Sequence, residues 1–119
     1  MNKILIMMVM MVVVLTGCST TSYTNITASE LDQYMVSNPD AIYIDVRTPE
    51  EFKADNIEGF TNIDSKVATD KITETYGKDE QIVLICNSGN RSASVAQQLV
   101  SAGYTNVVNV QGGMVEYNK

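Results

Sequence analysis

The chain has 119 residues and carries 14 Asp and Glu against 8 Lys and Arg, a net charge of −6. That length suits one domain with its own core, and the acidic balance argues against a nucleic-acid partner. No histidine is present, which excludes Ser-His-Asp and Cys-His catalysis and any histidine metal site.

The amino terminus places one positive charge, Lys3, before an apolar run from Ile4 to Leu15. A membrane-spanning helix takes about 20 apolar residues, so this run has the pattern of a secretory signal instead. It ends Leu15-Thr16-Gly17-Cys18, which resembles the lipobox of bacterial lipoproteins. By that resemblance residues 1–17 are a signal peptide cut before Cys18, and Cys18 is the lipid attachment site. The alternative is an uncleaved amino-terminal anchor. Either way the protein is expected to be exported and held on a cell membrane or outer membrane, facing outside the cytoplasm. Cleavage removes Lys3 and no acid, leaving net −7, so the lipid rather than a basic patch is the expected anchor. With Cys18 acylated, Cys86 is the one thiol left and no disulfide can form within the domain. A monomer is expected.

Residues 18–25 are rich in Ser and Thr and read as a lipid-anchored tether, with the domain over 26–119. Thr27-Ala28-Ser29-Glu30 has the capping-box pattern, and Leu31, Tyr34 and Met35 follow at helical spacing toward Asn38-Pro39. Ala41 to Val46 is an apolar run, hence a buried strand. Thr48-Pro49-Glu50-Glu51 combines a cap, a first-turn proline and early acids, and starts a helix. The Glu50-Glu51 pair belongs to that start and is not a carboxylate dyad. Asn56 to Asp64 reads as loop. Lys66 to Tyr76 can form a helix on Val67, Ile72 and Tyr76, stopped by Gly77. Gln81 to Cys86 is a second buried strand. Ser92 to Ala102 is the strongest helix, with Val95, Ala96, Leu99 and Val100 on one side and Gly103 after it. Val107 to Val110 is a third strand, followed by a Gln111-Gly112-Gly113 turn and a short helical turn from Met114 to Tyr117. Near-continuous apolar strands alternating with helices predict an α/β fold with a largely parallel sheet covered on both faces.

Sites in such sheets lie at the carboxyl ends of strands, where Asp45 and Cys86 fall. After Cys86 come Asn87-Ser88-Gly89-Asn90-Arg91 and then the helix at Ser92. Inward-facing N–H groups and a helix amino terminus there would favour a thiolate and an anion before it. A cysteine is more often a small buried hydrophobe. Here the polar, flexible residues after it and the positive potential of Arg91 favour a reactive thiol. Asp45 and Arg47 have a supporting reading, a strand-end cap and an arginine paired with an acid such as Glu58.

Four segments carry a resemblance to a known family: Cys86 to Ser92, Asp45-Val46-Arg47-Thr48-Pro49-Glu50-Glu51-Phe52, Ile57 to Ile63, and Gly103 to Val107 with Gly112-Gly113. In this order they resemble the signatures of the rhodanese domain across nearly all of the mature chain. The resemblance implies a rhodanese-like three-layer sandwich with a five-stranded, mostly parallel sheet flanked by helices. It implies sulfur transfer through a persulfide on Cys86, with the amides of Asn87 through Arg91 lining the substrate pocket. No cofactor and no metal is implied. The partners are a small sulfur donor and a thiol or cyanide acceptor. Two positions depart from the family pattern: Asn56 stands where a histidine is frequent, and Tyr117 where a tryptophan is. Arg91 is the loop's only charge, whereas relatives that use thiosulfate often carry more, so thiosulfate is expected to be a poor donor.

Two other functions fit parts of the pattern. A phosphatase or arsenate reductase also uses a cysteine in an anion-binding loop that ends in arginine, but places five residues between them. This chain has four, Asn87 to Asn90, and the smaller cradle suits a sulfur atom. A non-catalytic module of the same fold, presented to an envelope partner, is the other alternative.

Overall fold

The computed structural model describes residues 22–119. The expected signal peptide, Cys18 and the start of the expected tether therefore lie outside the described residues. Five strands form one all-parallel sheet: β1 (Thr24–Thr27), β2 (Ile42–Asp45), β3 (Thr61–Asn62), β4 (Ile82–Ile85) and β5 (Val107–Gln111), in the spatial order β1-β5-β4-β2-β3. Among the described residues five α-helices accompany them: α1 (Leu31–Ser37), α2 (Pro49–Ala54), α3 (Ser65–Thr75), α4 (Asn90–Ser101) and α5 (Gly113–Tyr117).

Side chains alternate across a strand, so each buried run feeds two cores. Ile44, Ile82, Leu84 and Cys86 face α3 and α4, with Ile72, Val95, Leu99 and Tyr104 packed against them. Tyr43, Val83, Ile85, Val108 and Val110 face the other layer, against Leu31, Phe60 and Met114. β4 sits mid-sheet with all four residues buried. Its carboxyl end delivers Cys86 under the amino terminus of α4.

The predicted helices and central strands are present, and the sheet has two strands that composition did not reveal. β1 begins at Thr24 and takes in Thr24 and Asn25, which read as tether. Its one buried side chain is Ile26, so no apolar run marks it. β3 is two residues long, inside the segment read as loop, and pairs Thr61 and Asn62 with Ile44 and Asp45. The helix expected after Thr27 is broken into a 3-10 turn, Ala28–Glu30, and α1. In α3 the buried positions are Ala68 and Ile72, whereas Val67 is exposed. α3 stops at Tyr76, whose backbone is extended, before Gly77 is reached.

α4 starts two residues before Ser92 because Gly89 caps it with a left-handed backbone, φ +99°. Its far end closes as a Schellman motif: Gly103 N–H donates to Val100 O and Tyr104 N–H to Leu99 O, both at 3.0 Å.

The Gly112-Gly113 turn does more than end β5. Cys86 O accepts from Met114 N–H at 2.9 Å and Asn87 O from Val115 N–H at 3.0 Å, which seats α5 on the start of the cysteine loop. A Cβ on Gly113 would lie 2.3 Å from Cys86 O and 2.6 Å from Asn87 O, and its φ is +55°. Those neighbours are backbone atoms and cannot swing aside. Gly113→Ala is therefore expected to destabilise the protein by about 3 kcal/mol, read as a fall in Tm of about 10 °C or more. An unchanged Tm would show that the contact between α5 and the loop is not tight.

Candidate active site

Cys86 follows the last residue of β4 and has no exposed surface. The loop after it turns at once. Asn87, Ser88 and Asn90 are exposed, Gly89 is buried and Arg91 is half-buried. Gly89 can take its positive φ because it has no side chain, and a Cβ there would meet Gly112 N at 3.3 Å. That backbone turn points the Gly89 N–H at Cys86 Sγ, which it reaches at 3.0 Å.

Ser92 supplies a second donor, its Oγ lying 3.3 Å from Sγ. The same hydroxyl lies 3.2 Å from Gly89 O. One hydroxyl has one hydrogen, so it can serve the carbonyl when sulfur is protonated and the sulfur when it is charged. Burial pushes the Cys86 thiol up, but the Ser92 hydroxyl and the N–H groups of Ser92, Gly89 and Arg91 outweigh it, and the net shift is below the ordinary thiol value. Donors aimed at a charged sulfur favour its charged form.

The sequence pointed to the amides of Asn87 through Arg91 as the pocket. The N–H hydrogen-bonded to the sulfur is that of Gly89, and the amides of Arg91 and Ser92 also help to lower the thiol. Asn87 instead braces the loop against α5 through its carbonyl. Ser92 was read only as the helix start, and its position in the first turn after Gly89 is the signal that could have marked it.

Arg91 turns its guanidinium away to a carboxylate. Nη1 donates to Glu51 Oε1 at 2.7 Å and Nη2 to Oε2 at 3.0 Å. Glu51 is also the acceptor in the capping box of α2, with Thr48 N–H and Thr48 Oγ1 both 3.1 Å from Oε1. The Arg91 hydrogen bonds, with the Thr48 amide next, hold the Glu51 carboxyl down to about 2. The pairing raises Arg91 in turn, and the Cys86 and Asp45 charges add to that. From the sequence Glu51 reads as part of a helix start only; its tie to Arg91 spans forty residues and leaves no local trace.

Asp45 and Arg47 are both buried, and they pair with each other, not with Glu58. Arg47 Nη2 and Nε reach Asp45 Oδ2 at 2.8 and 3.1 Å, and Nε reaches Oδ1 at 3.0 Å. Residues two apart at a strand end share a face, so the near acid wins over the distant one. Arg47 also donates to Asp55 O at 2.6 Å and Glu51 O at 3.4 Å, capping the end of α2. Asn62 Nδ2 bonds Asp45 O and Arg47 O at 3.0 and 2.9 Å. The pair thus fixes the wall that carries Glu51 and makes no contact with the sulfur. Asn56 donates to Phe52 O at 2.9 Å, and the Tyr117 hydroxyl to Asp32 Oδ1 at 2.7 Å, so both family departures make hydrogen bonds away from the sulfur.

A parallel five-stranded α/β sheet with a cysteine in an amide-lined loop at its carboxyl edge defines the class. Residues 27–119 match the family of the rhodanese-like domain, and the chain belongs to that family. It is 36% identical over 73 residues to a thiosulfate sulfurtransferase GlpE of Pseudomonas syringae pv. syringae (strain B728a), covering 61% of this chain and 68% of that one. It is 27% identical over 95 residues to a tRNA uridine(34) hydroxylase of Photorhabdus laumondii subsp. laumondii, covering 76% of this chain but 27% of the hydroxylase. The fold therefore also occurs as one part of larger proteins with other roles. The crystal structure of a rhodanese-like domain protein from Staphylococcus aureus superposes with a TM-score of 0.70 at 31% identity, covering 79% of this chain and 90% of that one.

Alkylation of Cys86 by iodoacetamide should rise with pH through a midpoint below the free-thiol value, since the thiolate is the nucleophile. Ser92→Ala should move that midpoint upward, because the hydroxyl favours the charged sulfur. A midpoint unmoved by Ser92→Ala would remove the hydroxyl from the account.

Proposed function

We propose that this chain is a sulfurtransferase that carries sulfane sulfur on Cys86. The observation behind it is the set of donors, Gly89 N–H and Ser92 Oγ foremost, directed at a buried strand-end sulfur whose pKa is lowered. The cycle is a double displacement. The Cys86 thiolate attacks the outer sulfur of a donor, forming a Cys86 S–S bond as the donor's own bond to that sulfur breaks. The electron pair of the broken bond leaves with the donor remnant, sulfite from thiosulfate or a thiolate from a persulfide. Cyanide or a thiolate then attacks the outer sulfur of the persulfide and departs as thiocyanate or a new persulfide, and Cys86 returns as a thiolate. No proton need be removed, which suits a site without histidine. The loop N–H groups hydrogen-bond the sulfur's negative charge in both forms. Thiosulfate:cyanide turnover is the expected activity in vitro, with polysulfide in its singly charged hydrogen form, or a persulfide, as the better donor.

The loop length supports sulfur over phosphoryl chemistry. Full-length protein should release thiocyanate from cyanide and a sulfane donor, and leave aryl phosphates intact. Cys86→Ser should lose that turnover while keeping its fold. Inserting one Gly between Gly89 and Asn90 should weaken it as well. Rapid ester hydrolysis without thiocyanate would favour a phosphatase. Neither activity, together with a stable envelope partner, would favour a binding module.

The same proposal has the protein exported and lipid-anchored through Cys18, outside the cytoplasm. Cys18→Ala should then accumulate as uncut precursor. Normal cutting and detergent-free release of that variant would contradict the anchor.

A further inference from the structure

The loop's one cation has a partner of its own. Arg91 meets Glu51 at two points, 2.7 and 3.0 Å, in the fork geometry that suits a guanidinium and a carboxylate. Glu51 is not free to drift, because its Oε1 also closes the α2 capping box with the Thr48 amide and hydroxyl. The pair lies at the rim, the Arg91 and Glu51 side chains being 37% and 33% exposed. The guanidinium is still close enough to Cys86 and Asp45 for their charges to act on it. The other arginine at this end of the sheet, Arg47, is buried against Asp45 and out of reach of a donor.

Both arginines near the sulfur are therefore matched one to one by carboxylates. What remains for an incoming donor at the sulfur is a set of uncharged hydrogen-bond donors, the Gly89 N–H and the Ser92 hydroxyl foremost, in a domain that is acidic overall. Dipoles can hold one negative charge at the transferred sulfur. They compensate a second charge, such as that of the sulfonate end of thiosulfate, far less well than a free guanidinium would.

We propose that Glu51 is a specificity-determining residue, which cancels the Arg91 charge at the mouth of the loop and so selects sulfane donors of single charge over dianions. The favoured donor class is the anion of a small, otherwise uncharged alkyl persulfide. In loading, the Cys86 thiolate takes the outer sulfur, the donor's S–S bond breaks, and the alkyl thiolate leaves with its electron pair. One negative charge enters on each partner and one leaves on each product. The proposal rests on the sulfurtransferase reading and adds to it the residue that sets donor charge.

The test uses the full chain, native and as Glu51→Gln, loaded in separate reactions with thiosulfate and with 2-hydroxyethyl persulfide. Loading is quenched at short times and read as the gain of one sulfur on Cys86 by mass spectrometry. Glutamine can still accept the Thr48 hydrogen bonds, so α2 keeps its cap while Arg91 loses its counter-charge. The thiosulfate-to-persulfide ratio of loading rates should rise about tenfold in Glu51→Gln, and the rise should shrink as salt screens the freed arginine. Glu51→Ala should move the ratio in the same direction. A ratio that stays put or falls in both variants, with native protein loading normally, would overturn the proposal and leave Glu51 as a strut for Arg91. Native protein that gains no sulfur from either donor would overturn the sulfurtransferase reading, and this proposal with it.

Discussion

Everything at the carboxyl edge of this sheet follows from placing a sulfur where several N–H groups must point. Cys86 directly follows the central buried strand, and the chain has to turn there to enter α4. With Gly89 at φ +99° the turn is tight enough to bring its N–H to 3.0 Å from the sulfur. A buried thiol would ordinarily resist ionisation, because a charge in an apolar surround has lost its water. The loop replaces that water with fixed dipoles, and the net shift of the thiol is downward, toward the thiolate. Because the dipoles are set by the fold, they need no rearrangement when charge appears on sulfur.

The remainder of the architecture holds that loop in place. α5 presses on it from one side, possible only because Gly113 offers no side chain to Cys86 O and Asn87 O. From the other side α2 reaches it through the pair of Glu51 and Arg91. α2 is itself capped at its start by Thr48 and at its end by the buried Arg47, whose charge Asp45 balances. A buried ion pair is a poor source of net stability, and its use here is geometric. It ties the end of β2 to the end of α2, and so fixes where Glu51 stands.

How much of this could be read in the sequence depended on range. Ile82 to Ile85 and Ile42 to Asp45 are buried on both faces, so their strands stand out as apolar runs. The edge strands β1 and β3 bury one face or span two residues, and their polar composition hid them. The turn that brings Gly89 to Cys86 was legible because it is local, whereas Arg91 finds its partner Glu51 forty residues away. Ser92 was missed, since a serine opening a helix is commonplace. Gly113 read only as a turn residue, because what it must avoid lies on the loop 26 positions earlier. Arg47 was assigned to the wrong acid although its partner Asp45 is two residues away: composition offers acids, and only the fold says which shares its face.

The central claim is that the amide-held sulfur of Cys86 accepts and releases one sulfur atom. The direct measurement is the mass of the Cys86 peptide from the full-length protein after exposure to polysulfide, and again after cyanide. The account predicts a gain of one sulfur atom on Cys86, then its complete loss with an equal amount of thiocyanate formed. No gain at Cys86, or a gain that cyanide cannot remove, would contradict it.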